Sequence, residues 1–534
     1  MEPSANVVEL LRAAAAESPE RVALIEGAGT STRRITFAGL WRRVCACSAG
    51  LRERGLGPDE RAVVMLPMSI DLYAALLGVI HAGACAVFVD PWVSPRRIAA
   101  FCRYAEPRAF IGVTRSHLLR LLEPRLLRIP LTVTSGRRLG GWPARWTLAE
   151  LEAAPADEPG HFRRAEDPAL ITFTTGSSGE PKGANRTHGF LRAQHQALFQ
   201  AFGPPPGAAD LPLFPVFALN NLACRATSVI PELDFRHLER LDAGRILTQC
   251  REHGVASCTA SPDFLDRLAA HLLAGHGPTP ALRRVLTGGA PVRDEQLDEW
   301  QRAFPDAELQ VVYGSTEAEP VAHASRAERQ AAGSERGGIC AGRPVPEIRA
   351  RILRLAPPSD SERPGLADEM PPGEIGELVV SGAHVCRDYF RNPAATAENK
   401  LLDAEGRVWH RMGDTGWLDE AGRFWLAGRV HTTIFRAGQA CHANLVEEQA
   451  RRRLGPGQYA ALGRQDERQG ERLLLVVHTE RPPQSSAAAL ADLQAAGLPV
   501  DELILHPRPL PLDPRHNSKV DHPALRQALG LPAR

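Results

Sequence analysis

The chain has 534 residues, 44% apolar and 23% charged, the proportions of a folded globular protein; wholesale disorder, a collagen-like rod and a coiled coil are excluded. Sixty-three Lys and Arg against 62 Asp and Glu leave a net charge of +1, without the basic excess of a dedicated nucleic-acid binder, so small-molecule partners are expected. At ~150 residues per domain the length amounts to roughly three to four domain-sized units, and ten cysteines without C-x-x-C spacing read as reduced thiols of a cytoplasmic protein.

The opening residues carry no basic region followed by an apolar one, so no secretory leader is read there. Residues 72–89 form an apolar run whose only clearly polar member is His81. Gly83-Ala84 divides it into a helix over 72–82 and a strand over 85–89 ending at Asp90-Pro91, which predicts a buried helix feeding a parallel strand and no transmembrane segment. Residues 118–128 set Arg120, Arg125 and Arg128 among leucines, the pattern of a basic amphipathic surface helix, with a membrane-surface helix as the other reading.

Short β-rich runs at 63–66, 86–89 and 110–113, then at 170–174, 257–259, 284–286 and 310–313, alternate with helical patterns and predict an α/β fold with largely parallel sheets. Ligands of such sheets bind beyond the carboxyl ends of the strands. After about residue 350 the runs 377–381, 408–411 and 424–427, separated by turns such as Asp419-Glu420-Ala421-Gly422, suggest a compact β unit. A boundary at Gly428-Arg429 divides a large domain, 1–428, of parallel-rich sheets covered by helices plus that β subdomain, from a small α+β domain, 429–534.

The chain holds 60 Arg and only three Lys: Lys182, Lys400 and Lys519. Where arginine has been used almost everywhere a cation suffices, a surviving lysine marks a place that needs a compact, flexible ammonium. Lys182 lies in Thr174-Thr175-Gly176-Ser177-Ser178-Gly179-Glu180-Pro181-Lys182-Gly183, directly after an apolar strand. Backbone N–H groups, hydroxyls and a cation converging in such a loop suit a triphosphate. It is not a Walker A loop, because Pro181 stands where Gly is required and Gly183 where the metal-binding hydroxyl should be.

This loop resembles the phosphate-binding signature of the acyl-adenylate-forming superfamily of acyl-CoA synthetases, adenylation domains and luciferases. Further motifs fall in that family's order: Ala82-Gly83-Ala84 to Asp90-Pro91, Gly288-Gly289-Ala290-Pro291, Tyr313-Gly314-Ser315-Thr316-Glu317, Gly413-Asp414, Gly428-Arg429 and Lys519. The resemblance implies ATP and Mg²⁺ as cofactors, with the loop and Lys182 on the phosphates. It places adenine on Gly288 to Pro291 and on the face of Tyr313, whose polar edge is left free. Thr316 would meet the α-phosphate, Glu317 the Mg²⁺ and Asp414 the ribose hydroxyls, with Arg429 at the domain junction. Lys519 would be the catalytic lysine of a mobile C-terminal domain. Lys400 is expected on a helix surface.

Beyond Arg429 the sequence departs from typical members: His431 stands at the hinge, Phe435 where a lysine would be, and Pro215 where a His is usual. Segments 210–231, 409–414 and 512–519 resemble the olefin-pathway β-lactone synthetases, a branch often described as fatty acid CoA ligase-like. The implied function is AMP-forming activation of a hydrophobic, long-chain or β-hydroxy carboxylic acid, followed by closure to a β-lactone. CoA is then unnecessary. An acyl-CoA synthetase or acyl-AMP ligase of a secondary-metabolite pathway, working with pathway enzymes, is the alternative, and a non-enzymatic nucleotide-binding member the third. Residues 214–222 with Ala322 and His323 are expected to wall an apolar acyl pocket.

Overall fold

The structure is a computed structural model that describes residues 4–27, 29–90, 93–138, 144–155, 160–175, 181–204, 207–235, 237–333, 336–357, 363–483, 485–512 and 520–532. These residues form three sheets.

The first has seven strands in the order Trp146–Thr147, Leu131–Thr134, Ala109–Gly112, Arg61–Met65, Cys85–Phe88, Pro168–Thr175 and Pro181–Thr187. All neighbours are parallel except the last pair, a hairpin. Its inner strands, Arg61–Met65, Cys85–Phe88 and Ala109–Gly112, are near-continuous apolar runs, packed against Phe37–Glu53 and Ile70–His81 in one core and against Pro95–Ala105 in another. The run at 72–89 folds as expected, into helix Ile70–His81 and strand Cys85–Phe88. Ser69 accepts a hydrogen bond from the Leu72 N–H to start the helix, and Gly83, at φ +84°, turns the chain after it. Among the described residues no helix is long and apolar enough to cross a membrane.

The second sheet carries fourteen strands. Val255–Ala260, Arg284–Gly288 and Glu308–Ser315 run parallel, and the sheet then turns antiparallel through Ala318–Ser325 and Ile339–Pro344. The strands of the expected β unit, Gly376–Ser381, Val408–Leu418 and Phe424–Arg429, pair with one another, and Ile339–Pro344 joins them to the rest of this sheet by pairing with Phe424–Arg429. That junction brings the end of Glu308–Ser315 beside Val408–Leu418. Local sequence texture does not reveal such long-range pairing.

Residues 118–128 do not form one helix. Thr114–Leu119, the single 3₁₀ turn Arg120–Leu122 and Pro124–Leu127 follow one another, with Pro124 starting the last piece.

From Ile434 onward the chain builds a small C-terminal domain around a five-stranded sheet, with helices Ala443–Leu454, Ser486–Ala495 and His522–Ala528 and its own core of Ile434, Val446, Leu475 and Leu493. It is joined to the large domain by the 3₁₀ turn Val430–Thr432, where Thr432 and Thr433 hydroxyls donate to the Arg429 carbonyl. None of the ten cysteines is in a disulfide, and eight are buried.

Candidate active site

Two clusters meet where strand Glu308–Ser315 turns into Ala318–Ser325. The first begins with Gly288, which pairs with Val312 at the carboxyl end of its strand. A Cβ on Gly288 would lie 2.3 Å from the Val312 carbonyl oxygen, so only glycine allows this approach. Gly289, at φ +78°, then turns the chain out of the strand, and Gly289 and Pro291 are exposed.

The Tyr313 ring packs on Phe424 with centroids 5.3 Å apart, and its hydroxyl donates to Asp414 Oδ2 at 2.6 Å. Arg429 donates to Asp414 Oδ1 at 2.7 Å, as the strand register sets Asp414 opposite Arg429. The Tyr313 edge is therefore not free as expected, and each Asp414 oxygen has one partner within the chain. A carboxylate this buried needs partners, although each oxygen keeps a second lone pair. Burial and the Asp414 charge push the Tyr313 phenol well above its usual range, so it stays a donor.

The second cluster surrounds Glu317, which is 9% exposed. The Tyr389 hydroxyl donates to Glu317 Oε1 at 2.8 Å, and no other described side chain engages Oε2. Burial opposes the Glu317 charge, but the fields of His410 and Lys400 with the Tyr389 hydrogen bond outweigh it and hold the carboxyl below its ordinary range. Burial takes His410 down to about 3 and lowers the Lys400 ammonium as well. Within the same turn Gly314 passes close to Ala318, Ser315 Oγ accepts from the Glu317 N–H at 3.3 Å, and the Thr316 carbonyl accepts from the buried Arg186 guanidinium at 2.8 Å.

Lys400 is therefore not the expected surface residue. It is 9% exposed at the start of strand Lys400–Leu402, donates to the Cys386 carbonyl and lies 5.2 Å from the centre of the Tyr389 ring. Lys182, 5.9 Å from the same ring, is also buried and pairs with Glu398 at 3.0 Å. It stands on strand Pro181–Thr187, opposite Thr174 in the hairpin, and is not at a loop tip. Its partner is 216 residues distant, so sequence reading gave no sign of the pair. Tyr389, Glu398, Lys400 and His410 were missed as site members. The scarcity of lysine was the one signal that could have found Lys400.

Gly176, Ser177, Ser178 and Gly179 of the loop, and Lys519, lie outside the described residues, as do the side chains of Thr174 and Thr175. Among the described residues no three His, Cys, Asp or Glu side chains group to hold a metal. A single buried, ionised carboxylate with one oxygen open fits Mg²⁺ bound mostly by phosphates and water.

Helix Pro215–Ala223 lines an apolar cavity of about 80 Å³ with Val216, Leu219 and Leu222, facing Leu77, Leu170 and Leu198. Gln194, also on its wall, donates to the Glu319 carbonyl at 2.9 Å, two residues from Glu317. Ala322 and His323 do not line it: Ala322 is core and His323 packs edge-on against Phe202 at 4.9 Å.

A sequence profile described as AMP-binding enzyme matches residues 11–390. The chain is 34% identical over 548 aligned residues to an olefin beta-lactone synthetase of Stenotrophomonas maltophilia (strain K279a), with 96% of each chain covered. It is 31% identical to an olefin beta-lactone synthetase of Xanthomonas campestris pv. campestris, again over 96% of each. Its fold superposes on ATP-bound MatB from Rhodopseudomonas palustris with a TM-score of 0.79, over 98% of this chain and 99% of that one, at 21% identity.

Proposed function

The chain belongs to the AMP-binding enzymes, which activate acids as adenylates, and from that premise we propose that it converts a hydrophobic β-hydroxy acid first to acyl-AMP and then to a β-lactone. The observation that carries the first half is the convergence of the Tyr313–Asp414–Arg429 chain and the Glu317–Tyr389 pair on one strand turn. The second half is supported by full-length similarity to two olefin beta-lactone synthetases and by His431, Phe435 and Pro215 standing where other members differ.

In this reading ATP lies across the carboxyl ends of the strands. Gly288 to Pro291 and the Tyr313 ring hold adenine, Asp414 accepts from ribose, and the loop Thr174 to Gly179 with Lys182 cradles the phosphates. Glu317 would hold Mg²⁺, which supplies charge neutralisation on the phosphoryl oxygens. The substrate carboxylate, ionised at neutral pH, needs no base. One of its oxygens bonds to the α-phosphorus as the bond to pyrophosphate breaks, and Thr316 and Lys519 stabilise the charge spread over the α-phosphate. The junction at 429–431 serves as the hinge that brings Lys519 in and then withdraws it. The substrate's β-hydroxyl oxygen next attacks the acyl carbonyl, AMP departs with its electron pair, and the hydroxyl proton passes to solvent.

The test is purified enzyme with ATP, Mg²⁺ and a 2-alkyl-3-hydroxy acid, with and without CoA. Lactone and AMP without CoA are expected. Thioester formed only with CoA would replace lactone synthesis with CoA ligation, and no AMP across a broad acid panel would remove both. Lys519→Ala is expected to abolish pyrophosphate release while ATP binding persists; an unchanged rate would remove Lys519 from the chemistry.

A further inference from the structure

Four leucines crowd one small surface far in sequence from the clusters at Tyr313 and Glu317. Leu118, Leu121, Leu122 and Leu127 are 47, 54, 68 and 46% exposed, half of the eight large hydrophobic side chains recorded as exposed among the described residues. They occupy ten residues of the broken helical segment Thr114–Leu119, Arg120–Leu122 and Pro124–Leu127. Scattered exposed leucines need no explanation, but a contiguous group marks a surface that meets something apolar.

The segment is firmly held from beneath, so these leucines are not outward because the chain is loosely packed. His117 Nε2 lies 2.9 Å from the Val133 carbonyl, Arg120 donates to the Leu126 carbonyl at 3.2 Å, and Leu126 and Ile129 are buried in the core under helix Pro95–Ala105. What remains outside is mainly leucine and arginine, with Thr114 and Pro124. Arg115, Arg125 and Arg128 are exposed beside the leucines, and Arg96 and Arg97 are exposed on Pro95–Ala105, which packs against Pro124–Leu127. None of these five arginines is in an ion pair among the described residues. The acidic side chains of the two segments are Glu123, half-buried, and Glu106, which is paired with Arg391.

We propose that this face docks the enzyme on an anionic lipid bilayer, the leucines entering the interface and the arginines meeting lipid phosphates. The charge decides between occupants. A second copy of the chain would set this cationic surface against itself, whereas an anionic bilayer complements both its apolar and its cationic parts. An arginine on a flexible stem keeps its head at the phosphate level while its methylenes cover apolar surface. The proposal does not depend on which acid is activated or on the fate of the acyl-AMP.

The experiment is sedimentation of the full chain with vesicles of equal parts phosphatidylcholine and phosphatidylglycerol, against vesicles of phosphatidylcholine alone. Binding is expected to the anionic vesicles, weakened by salt. Leu121→Ser/Leu122→Ser and Arg125→Glu/Arg128→Glu, both confined to exposed side chains, are each expected to lower the partition coefficient by about tenfold or more. Circular dichroism and pyrophosphate release with a water-soluble acid should stay at wild-type values, which separates lost docking from lost folding or lost chemistry. The proposal is overturned if the wild-type chain stays in the supernatant, if both double variants sediment as it does, or if light scattering shows a dimer that the leucine variant dissolves in place of vesicle binding.

Discussion

The Tyr389 hydroxyl donates a 2.8 Å hydrogen bond to the Glu317 carboxylate across 72 residues of sequence. This bond fixes one oxygen of the carboxylate and helps keep it ionised despite burial. Tyr389→Phe removes the donor without changing the ring that Lys182 and Lys400 approach. The expected result is a fall in pyrophosphate release of about 10- to 100-fold with a raised Mg²⁺ requirement, and a stability loss of only about 1 kcal/mol. A Mg²⁺ titration of the initial rate and a urea denaturation curve measure the two parts; wild-type rates at every Mg²⁺ concentration would remove Tyr389 from the site.

Lys400 contributes to both activity and stability, and activity per folded molecule tells the two apart. Its ammonium is buried, with burial lowering its pKa, and it sustains the Glu317 charge. Lys400→Met keeps the length of the side chain and removes the charge. Removing one partner leaves the Glu317 carboxylate buried without its compensating cation, so denaturation should show a loss of about 3–5 kcal/mol. Turnover should fall by about tenfold or more, because Glu317 loses its cation. Loss of stability with activity per folded molecule retained would make Lys400 a packing residue only.

In the C-terminal domain, Glu447 accepts a hydrogen bond from the Ala461 N–H at 2.9 Å, and burial raises its pKa to about 7. A carboxyl whose folded pKa lies above its unfolded value of 4.5 binds its proton more tightly when folded. The contribution to stability is fully present below pH 4.5, declines as the pH rises to about 7, and is absent above that. Glu447→Gln, which keeps an acceptor and cannot ionise, should leave stability unchanged near pH 4 and add about 2 kcal/mol near pH 8. Equal effects at the two pH values, read by chemical denaturation, would contradict the assignment.

Gly288 is held by close packing against the neighbouring strand. Gly288→Ala puts a Cβ against the Val312 carbonyl and should cost about 1–3 kcal/mol of stability, with the strand Glu308–Ser315 displaced. A variant as stable as wild type would show that the strand pair yields without cost.

The large domain was legible where one segment carries its own signal. Helix Ile70–His81 and strand Cys85–Phe88 follow from one apolar run and a dividing glycine, and the strands ending at Gly288 and Ser315 follow from apolar runs ending in turns. Neither the Asp414–Arg429 pair nor the Tyr313 hydroxyl that completes the chain was legible, because a strand pattern does not say which distant strand lies opposite. For the same reason the Lys182–Glu398 pair and the approach of Lys400 to Tyr389 were invisible. Each depends on strands that pair only after the fold has closed. Residue scarcity pointed to the lysines; it could not give their partners. The amphipathic pattern at 118–128 was visible, whereas the outward direction of its leucines followed only from what Arg120, Leu126 and Ile129 bury.

The most direct measurement follows oxygen. With the acid labelled by ¹⁸O in both carboxyl positions, attack on the α-phosphorus followed by loss of AMP leaves one carboxyl oxygen on the AMP phosphate. Mass spectrometry should find AMP carrying one ¹⁸O, unlabelled pyrophosphate, and a lactone retaining the other label when no CoA is present. Unlabelled AMP, or ADP as the nucleotide product, would contradict activation of the acid as its adenylate.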